Sequence, residues 1–115
     1  METKREGGIE FWVSIAPAAE GGSVVTVFGE LDISTAAELK PVLQEALDAG
    51  GDIELDLRGC GFVDSSGIAL LAWAAWQLKD SARRLVLRGA QPRIRSIFEL
   101  TGLARHSSVV LEPDE

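Results

Sequence analysis

Three adjacent side chains, Asp64, Ser65 and Ser66, stand directly before a largely apolar run from Ile68 to Leu78. Their oxygens are of the kind that accept hydrogen bonds from the free N–H groups of a helix's first turn. The helix dipole there favours negative charge, so a hydroxyl at that place is suited to carrying or meeting an anion. Capping alone would also account for the three residues. Other chemistries fail on spacing. A nucleophilic elbow wants glycine two residues before and two after its serine, whereas Ser65 has Val63 before it and Gly67 after. The single histidine, His106, lies far along the chain. Gly59-Cys60-Gly61 lacks the third glycine of a dinucleotide turn, and no phosphate-loop lysine is present. One cysteine and one histidine make no metal-ligand cluster. No metal, no cofactor and no catalysis by this chain are expected.

The elements that must position these hydroxyls are legible in the periodicity. Ile53, Leu55 and Leu57 alternate with Asp52, Glu54 and Asp56, the pattern of a half-buried strand. Gly59 and Gly61 then mark a tight turn, and a helix runs from Ser66 to about Lys79. At 100° per residue, Ile68, Leu71, Ala72, Ala75 and Leu78 gather on its inner side. Trp73 lies almost opposite them and Trp76 on the flank, so Trp73 is expected on the surface as a candidate partner contact.

Upstream, Phe11, Val13 and Ile15 suggest a first strand and Val24–Phe28 a second, joined by a short loop and therefore antiparallel. Gly29–Ser34 forms another strand-to-helix turn, and Thr35 with Glu38 has capping-box spacing, which starts the helix at Thr35. Ala36, Leu39, Leu43, Ala46 and Leu47 are its inner stripe, Gly50-Gly51 stops it, and Pro41 predicts a kink or an irregular first turn. Downstream come a strand at Arg84–Arg88 and a helix opened by Pro92, with Ile94, Ile97, Phe98 and Thr101 inward and Gly102 ending it. A short strand at Val109–Leu111 closes the order. Residues 1–8 and 112–115 read as flexible ends of a single domain spanning 1–115.

Central strands covered by helices on both faces should be apolar throughout. Here residues 52–57 and 84–88 alternate, so one face stays uncovered. The fold expected is an α/β two-layer sandwich: a mixed sheet of about five strands with helices packed on one face.

A net charge of −7 argues against nucleic acid as partner, because phosphate contacts need a basic surface. The charge is uneven: residues 1–64 hold 13 acids against 4 bases, whereas residues 79–105 hold 7 bases against 2 acids. The latter include Arg83, Arg84, Arg88, Arg93, Arg95 and Arg105, either a docking patch or a solvated face. One cysteine permits no internal disulfide, the N-terminus carries no apolar signal segment, and no run spans a membrane. A cytoplasmic monomer or weak dimer is expected.

The run Asp56-Leu57 … Phe62-Val63-Asp64-Ser65-Ser66-Gly67-Ile68 … Leu71 resembles the signature of the STAS family, the domain shared by sulfate transporters and anti-sigma factor antagonists. Gly29-Glu30-Leu31-Asp32, Thr35-Ala36 and Thr101-Gly102-Leu103 resemble that family in order and spacing. The resemblance to the antagonist branch implies that Ser65 is phosphorylated by an anti-sigma serine kinase. It implies that Asp64, Ser66, Gly67 and the Gly29–Thr35 turn, with Asp32, Ser34 and Thr35 named in it, form the docking rim, and that a PP2C-type phosphatase resets the switch. The alternative is a non-cycling STAS subunit of an ABC-type transporter or of a signalling scaffold.

Overall fold

The computed structural model describes residues 2–4 and 10–112. Three strands open the chain, β1 (Glu2–Lys4), β2 (Glu10–Pro17) and β3 (Ser23–Leu31), each antiparallel to the one before. Three crossovers follow: α1 (Ile33–Ala49) to β4 (Ile53–Val63), α2 (Ser65–Gln77) to β5 (Leu85–Arg88), and α3 (Pro92–Leu100) to β6 (Val109–Leu111). A 3-10 turn at Leu103–Arg105 links α3 to β6. The six strands lie in sequence order, and β3 to β6 are parallel. The mixed sheet with helices on one face is as the alternation demands. The sixth strand, β1, falls in the stretch expected to be flexible; the rest of that stretch, residues 1 and 5–8, and residues 113–115 of the tail lie outside the described residues.

The inner face carries the core. Val25, Val27, Leu55, Leu57, Leu85 and Leu87 are fully buried against Leu39, Leu43, Leu71, Leu78 and Phe98 from the helices. Val24, Thr26, Glu54 and Val86 between them are half-buried on the open face. That face bears a stacked pair, Trp12 over Phe28 with centroids 5.3 Å apart.

Four details depart from the sequence reading. The first helix starts at Ile33 with Asp32 as its cap, not at Thr35, and it runs unbroken through Pro41. Pro41 and Ala37, whose carbonyl loses its partner there, are both on the solvent side. Second, β4 continues through Gly59-Cys60-Gly61, where a turn was expected. Thr26 pairs with Asp56 and Phe28 with Gly59, so two residues of β4 face one of β3, and a second irregularity follows at Gly61. Gly59 leaves the space that Phe28 fills, since a Cβ there would lie 2.8 Å from the ring. Cys60 points into the core, and burial pushes its thiol pKa up.

Third, the buried stripe of α2 is Gly67, Leu70, Leu71, Ala74 and Ala75, with Ile68 half-buried and Ala72 exposed. The face is thus rotated by roughly 65° from the expected one, taking 100° per residue. The rotation exchanges the tryptophans. Trp73 is half-buried against the core with Lys40 Nζ 5.0 Å from its ring centroid, and Trp76 is 60% exposed beside His106 and Lys79.

Fourth, the arginine-rich segment is largely committed to structure. Arg83 donates to the carbonyls of Leu47 and Gly51 at 3.0 and 2.8 Å, closing the C-terminal end of α1. Arg88 bridges Glu54 and Glu112 at 2.6 and 2.9 Å, and Arg95 donates to the Glu112 carbonyl. Glu112, expected in the flexible tail, is held by these bonds.

Candidate interaction site at two paired helix N-termini

Because β3 and β4 are adjacent and parallel, both deliver their following helices to the same edge of the sheet. Leu31 pairs with Val63, and the Asp64 N–H donates to the Leu31 carbonyl at 3.1 Å. Each strand is followed by an aspartate in extended conformation, Asp32 at φ −123° and Asp64 at φ −105°. Each caps its helix. Asp32 Oδ1 accepts from the N–H groups of Ser34 and Thr35 at 3.0 and 3.1 Å. Asp64 Oδ1 accepts from those of Ser66 and Gly67 at 2.8 and 3.2 Å. These bonds satisfy the orphan donors of the first turn.

Ser65 is the first residue of α2 and is exposed. No hydrogen bond within the described residues holds its hydroxyl. Ser66 is half-buried and Ser34 exposed, with Asp32 and Asp64 half-buried between them. These five share one edge of the molecule. Two residues of the expected rim do not reach its surface. Thr35 is fully buried: its hydroxyl donates to the Glu30 carbonyl at 2.7 Å and accepts from the Asp32 N–H at 2.8 Å. Gly67 is buried because the helix packs there against the strand ends, where a Cβ would lie 2.8–2.9 Å from Leu31 and Val63. Both shape the rim from beneath. Trp73 stands against Lys40 of α1, away from the exposed aromatic surface expected of it.

Two surface residues at this edge are not singled out by the sequence reading, Ile33 although it lies within the Gly29–Thr35 turn. Ile33, first in α1, is 74% exposed, and Phe62, just before the Val63-Asp64 cap, is 45% exposed. The signal for Ile33 was its place: it follows Asp32 as Ser65 follows Asp64.

A mixed sheet with one helical layer and a serine presented at a capped helix N-terminus define a two-layer α/β domain with a candidate binding edge. The STAS_2 family model, described as Mlab, STAS domain, matches residues 15–112, and the chain belongs to the STAS family. Among its relatives, the anti-sigma-B factor antagonist of Staphylococcus aureus is 36% identical over 80 residues, 69% of this chain and 74% of that protein. The antagonist of Staphylococcus epidermidis is 34% identical over the same length. The crystal structure of an anti-sigma factor antagonist from Mycobacterium paratuberculosis superposes with a TM-score of 0.71 at 28% identity, covering 96% of this chain and 92% of that one. The fold is also that of the anti-sigma factor antagonist SpoIIAA in its unphosphorylated form, with a TM-score of 0.68 at 21% identity over 89% of this chain and 90% of that one. Among the described residues, no helix is long and apolar enough to cross a membrane.

Proposed function

We propose that this chain is an anti-sigma factor antagonist that binds an anti-sigma serine kinase and is released when the kinase phosphorylates Ser65. The observation that carries this is the exposed, unbonded Ser65 hydroxyl at the N-terminus of α2, in a chain whose relatives are named anti-sigma-B factor antagonists. A PP2C-type phosphatase would return the protein to its binding form.

The geometry supports a switch that acts on binding and spares the fold. Phosphate adds about −1.5 to −2 charges at pH 7. At a helix N-terminus the dipole favours that charge, so the isolated domain tolerates it. Against a docked partner the same charge must be desolvated beside Asp64. A loss of ~3 kcal/mol weakens binding about a hundredfold. Incubation with the kinase and ATP, followed by mass spectrometry of the peptide carrying Ser65 and Ser66, tests the assignment. Phosphate on Ser65, with Ser65→Ala bound but never released, is the expected result. Phosphate on Ser66 alone moves the site by one residue. No phosphate on either serine, with a stable complex, overturns the switch in favour of a permanently bound subunit.

A further inference from the structure

We propose that Ile33 is the apolar anchor of the docking surface, seated in an apolar pocket of the serine kinase beside the cleft that receives Ser65, a role that rests on the switch proposed above. The register makes the two side chains counterparts. Leu31 pairs with Val63, the next residues Asp32 and Asp64 cap α1 and α2, and Ile33 and Ser65 then open the two helices. Neighbouring strands lie ~4.8 Å apart and packed helices ~8–10 Å apart, so the two residues occupy one small patch.

Nothing in the fold requires an isoleucine there. The cap is made by Asp32 and Thr35, and Ile33 is 74% exposed. A β-branched apolar side chain contributes neither a capping bond nor helix propensity at that position. Its chain neighbours Glu30 and Ser34 are exposed and Asp32 half-buried, and the half-buried Asp64 caps the helix of the adjoining strand. An apolar centre ringed by polar groups is the anatomy of a binding hot spot. The carboxylates of Glu30 and Asp64 favour a partner surface with basic groups around that pocket.

The same arrangement explains why one phosphate would suffice for release. The pocket that holds Ile33 is dry when occupied. A dianion on Ser65 would have to be stripped of water at its margin, where burial of unpaired charge is most costly. Attraction of the unmodified form and rejection of the modified form would then come from one patch.

The test uses the full chain and the anti-sigma serine kinase of the same organism, with calorimetric titration in the absence of ATP. Ile33→Ala and Ile33→Gln, both neutral, should weaken binding on the order of 30-fold, the scale of a hot-spot truncation. Ile33→Val should remain close to wild type. Leu100→Ala, at an 85% exposed apolar residue on the far end of α3, should change nothing. With ATP, the Ile33→Ala defect should appear in the KM for Ser65 phosphorylation and leave kcat nearly unchanged. Unfolding midpoints equal to wild type exclude misfolding as the cause. Binding of Ile33→Ala and Ile33→Gln within about threefold of wild type overturns the anchor. A change in self-association on light scattering, with kinase binding intact, overturns it too and assigns the patch to a second copy of the chain. Failure of the switch itself reads differently: wild type then acquires no phosphate on Ser65, whatever Ile33 does in the titration. A wild-type chain that does not bind the kinase overturns both.

Discussion

The two strand-to-helix turns, Asp32-Ile33-Ser34-Thr35 and Asp64-Ser65-Ser66-Gly67, share one backbone design and differ in how they are locked. Both begin on an extended aspartate whose Oδ1 accepts two N–H groups. In the first, the residue three places on is Thr35, whose hydroxyl accepts from the Asp32 N–H and donates to the Glu30 carbonyl. In the second, the residue is Gly67, which offers no side chain and lets the helix settle onto Leu31 and Val63. One turn is closed by polar bonds that consume a hydroxyl inside the protein. The other is closed by packing, which leaves the Ser65 hydroxyl free at the surface. A phosphoacceptor needs the second solution: its oxygen must be presented by a firm backbone without being spent on holding it.

The largest stability difference should come from unlocking the first turn. Thr35→Val keeps the shape of the side chain and removes its hydroxyl, leaving the Glu30 carbonyl and the Asp32 N–H without that partner. Unsatisfied buried polar groups cost ~1–3 kcal/mol each. Part of the loss is recovered where water reaches Asp32, so a total of about 2–3 kcal/mol is expected. Chemical denaturation with an unchanged slope measures it. A variant as stable as wild type would show that the first turn, too, is held by packing.

A smaller and symmetric effect is expected at the caps. Asp32→Ala and Asp64→Ala each remove a side-chain acceptor of two N–H groups and should each cost about 1 kcal/mol. In binding the two should separate. Asp64 adjoins Ser65, the proposed phosphoacceptor, so Asp64→Ala should impair phosphorylation of Ser65 as well as docking, whereas Asp32→Ala should affect docking alone. Equal loss of phosphorylation in both would mean that the partner reads the two turns as one unit.

Much of this site is legible in the sequence. The Asp-Ser-Ser-Gly run at the head of an apolar stretch placed the N-terminus of α2 within a residue, because cap chemistry is local. The alternation at 52–57 and 84–88 disclosed the open face for the same reason: it depends only on period two. What failed depended on tertiary choice. Asp32 and Thr35 are both good cap residues, and the spacing to Glu38 favoured the second. The choice was made by the Glu30 carbonyl, which captures the Thr35 hydroxyl in the interior. The inward face of α2 was ambiguous because Ala, Leu and Trp surround the helix with few polar residues to mark the outside, so Trp73 and Trp76 changed places. The glycines of β4 carry the signature of a turn, yet Phe28 needs the space above Gly59, and the extra residues are absorbed as bulges. Glu2–Lys4 has no apolar alternation, so its pairing with Glu10–Trp12 as an edge strand left no sequence signal.

Those bulges supply the smallest effect and the sharpest contrast between the two approaches to the sheet edge. Where β4 gains its extra residue, the Asp56 carboxylate accepts from the Arg58 backbone N–H at 3.1 Å and from its guanidinium at 3.0 and 2.6 Å. The hydrogen bond from the Arg58 side chain holds the Asp56 pKa below the usual carboxylate range, against the opposing pull of burial. A carboxyl whose pKa is lower folded than unfolded stabilises the fold above its unfolded pKa, about 3.9, and loses that contribution as pH falls through the folded value. The stability difference between wild type and Asp56→Asn should therefore be constant near neutrality and close below about pH 4. It should be smaller than at either cap, because Arg58 lies at the surface and its charge is screened. Amide exchange locates the effect. In Asp56→Asn, protection should fall at Gly59–Gly61, on the strand leading to Ser65, and hold at Val27–Leu31, where the partner strand has no extra residue to clip. Loss of protection spread equally over both strands would show that the bulge belongs to the sheet as a whole, and that the turn carrying Ser65 has no separate support of its own.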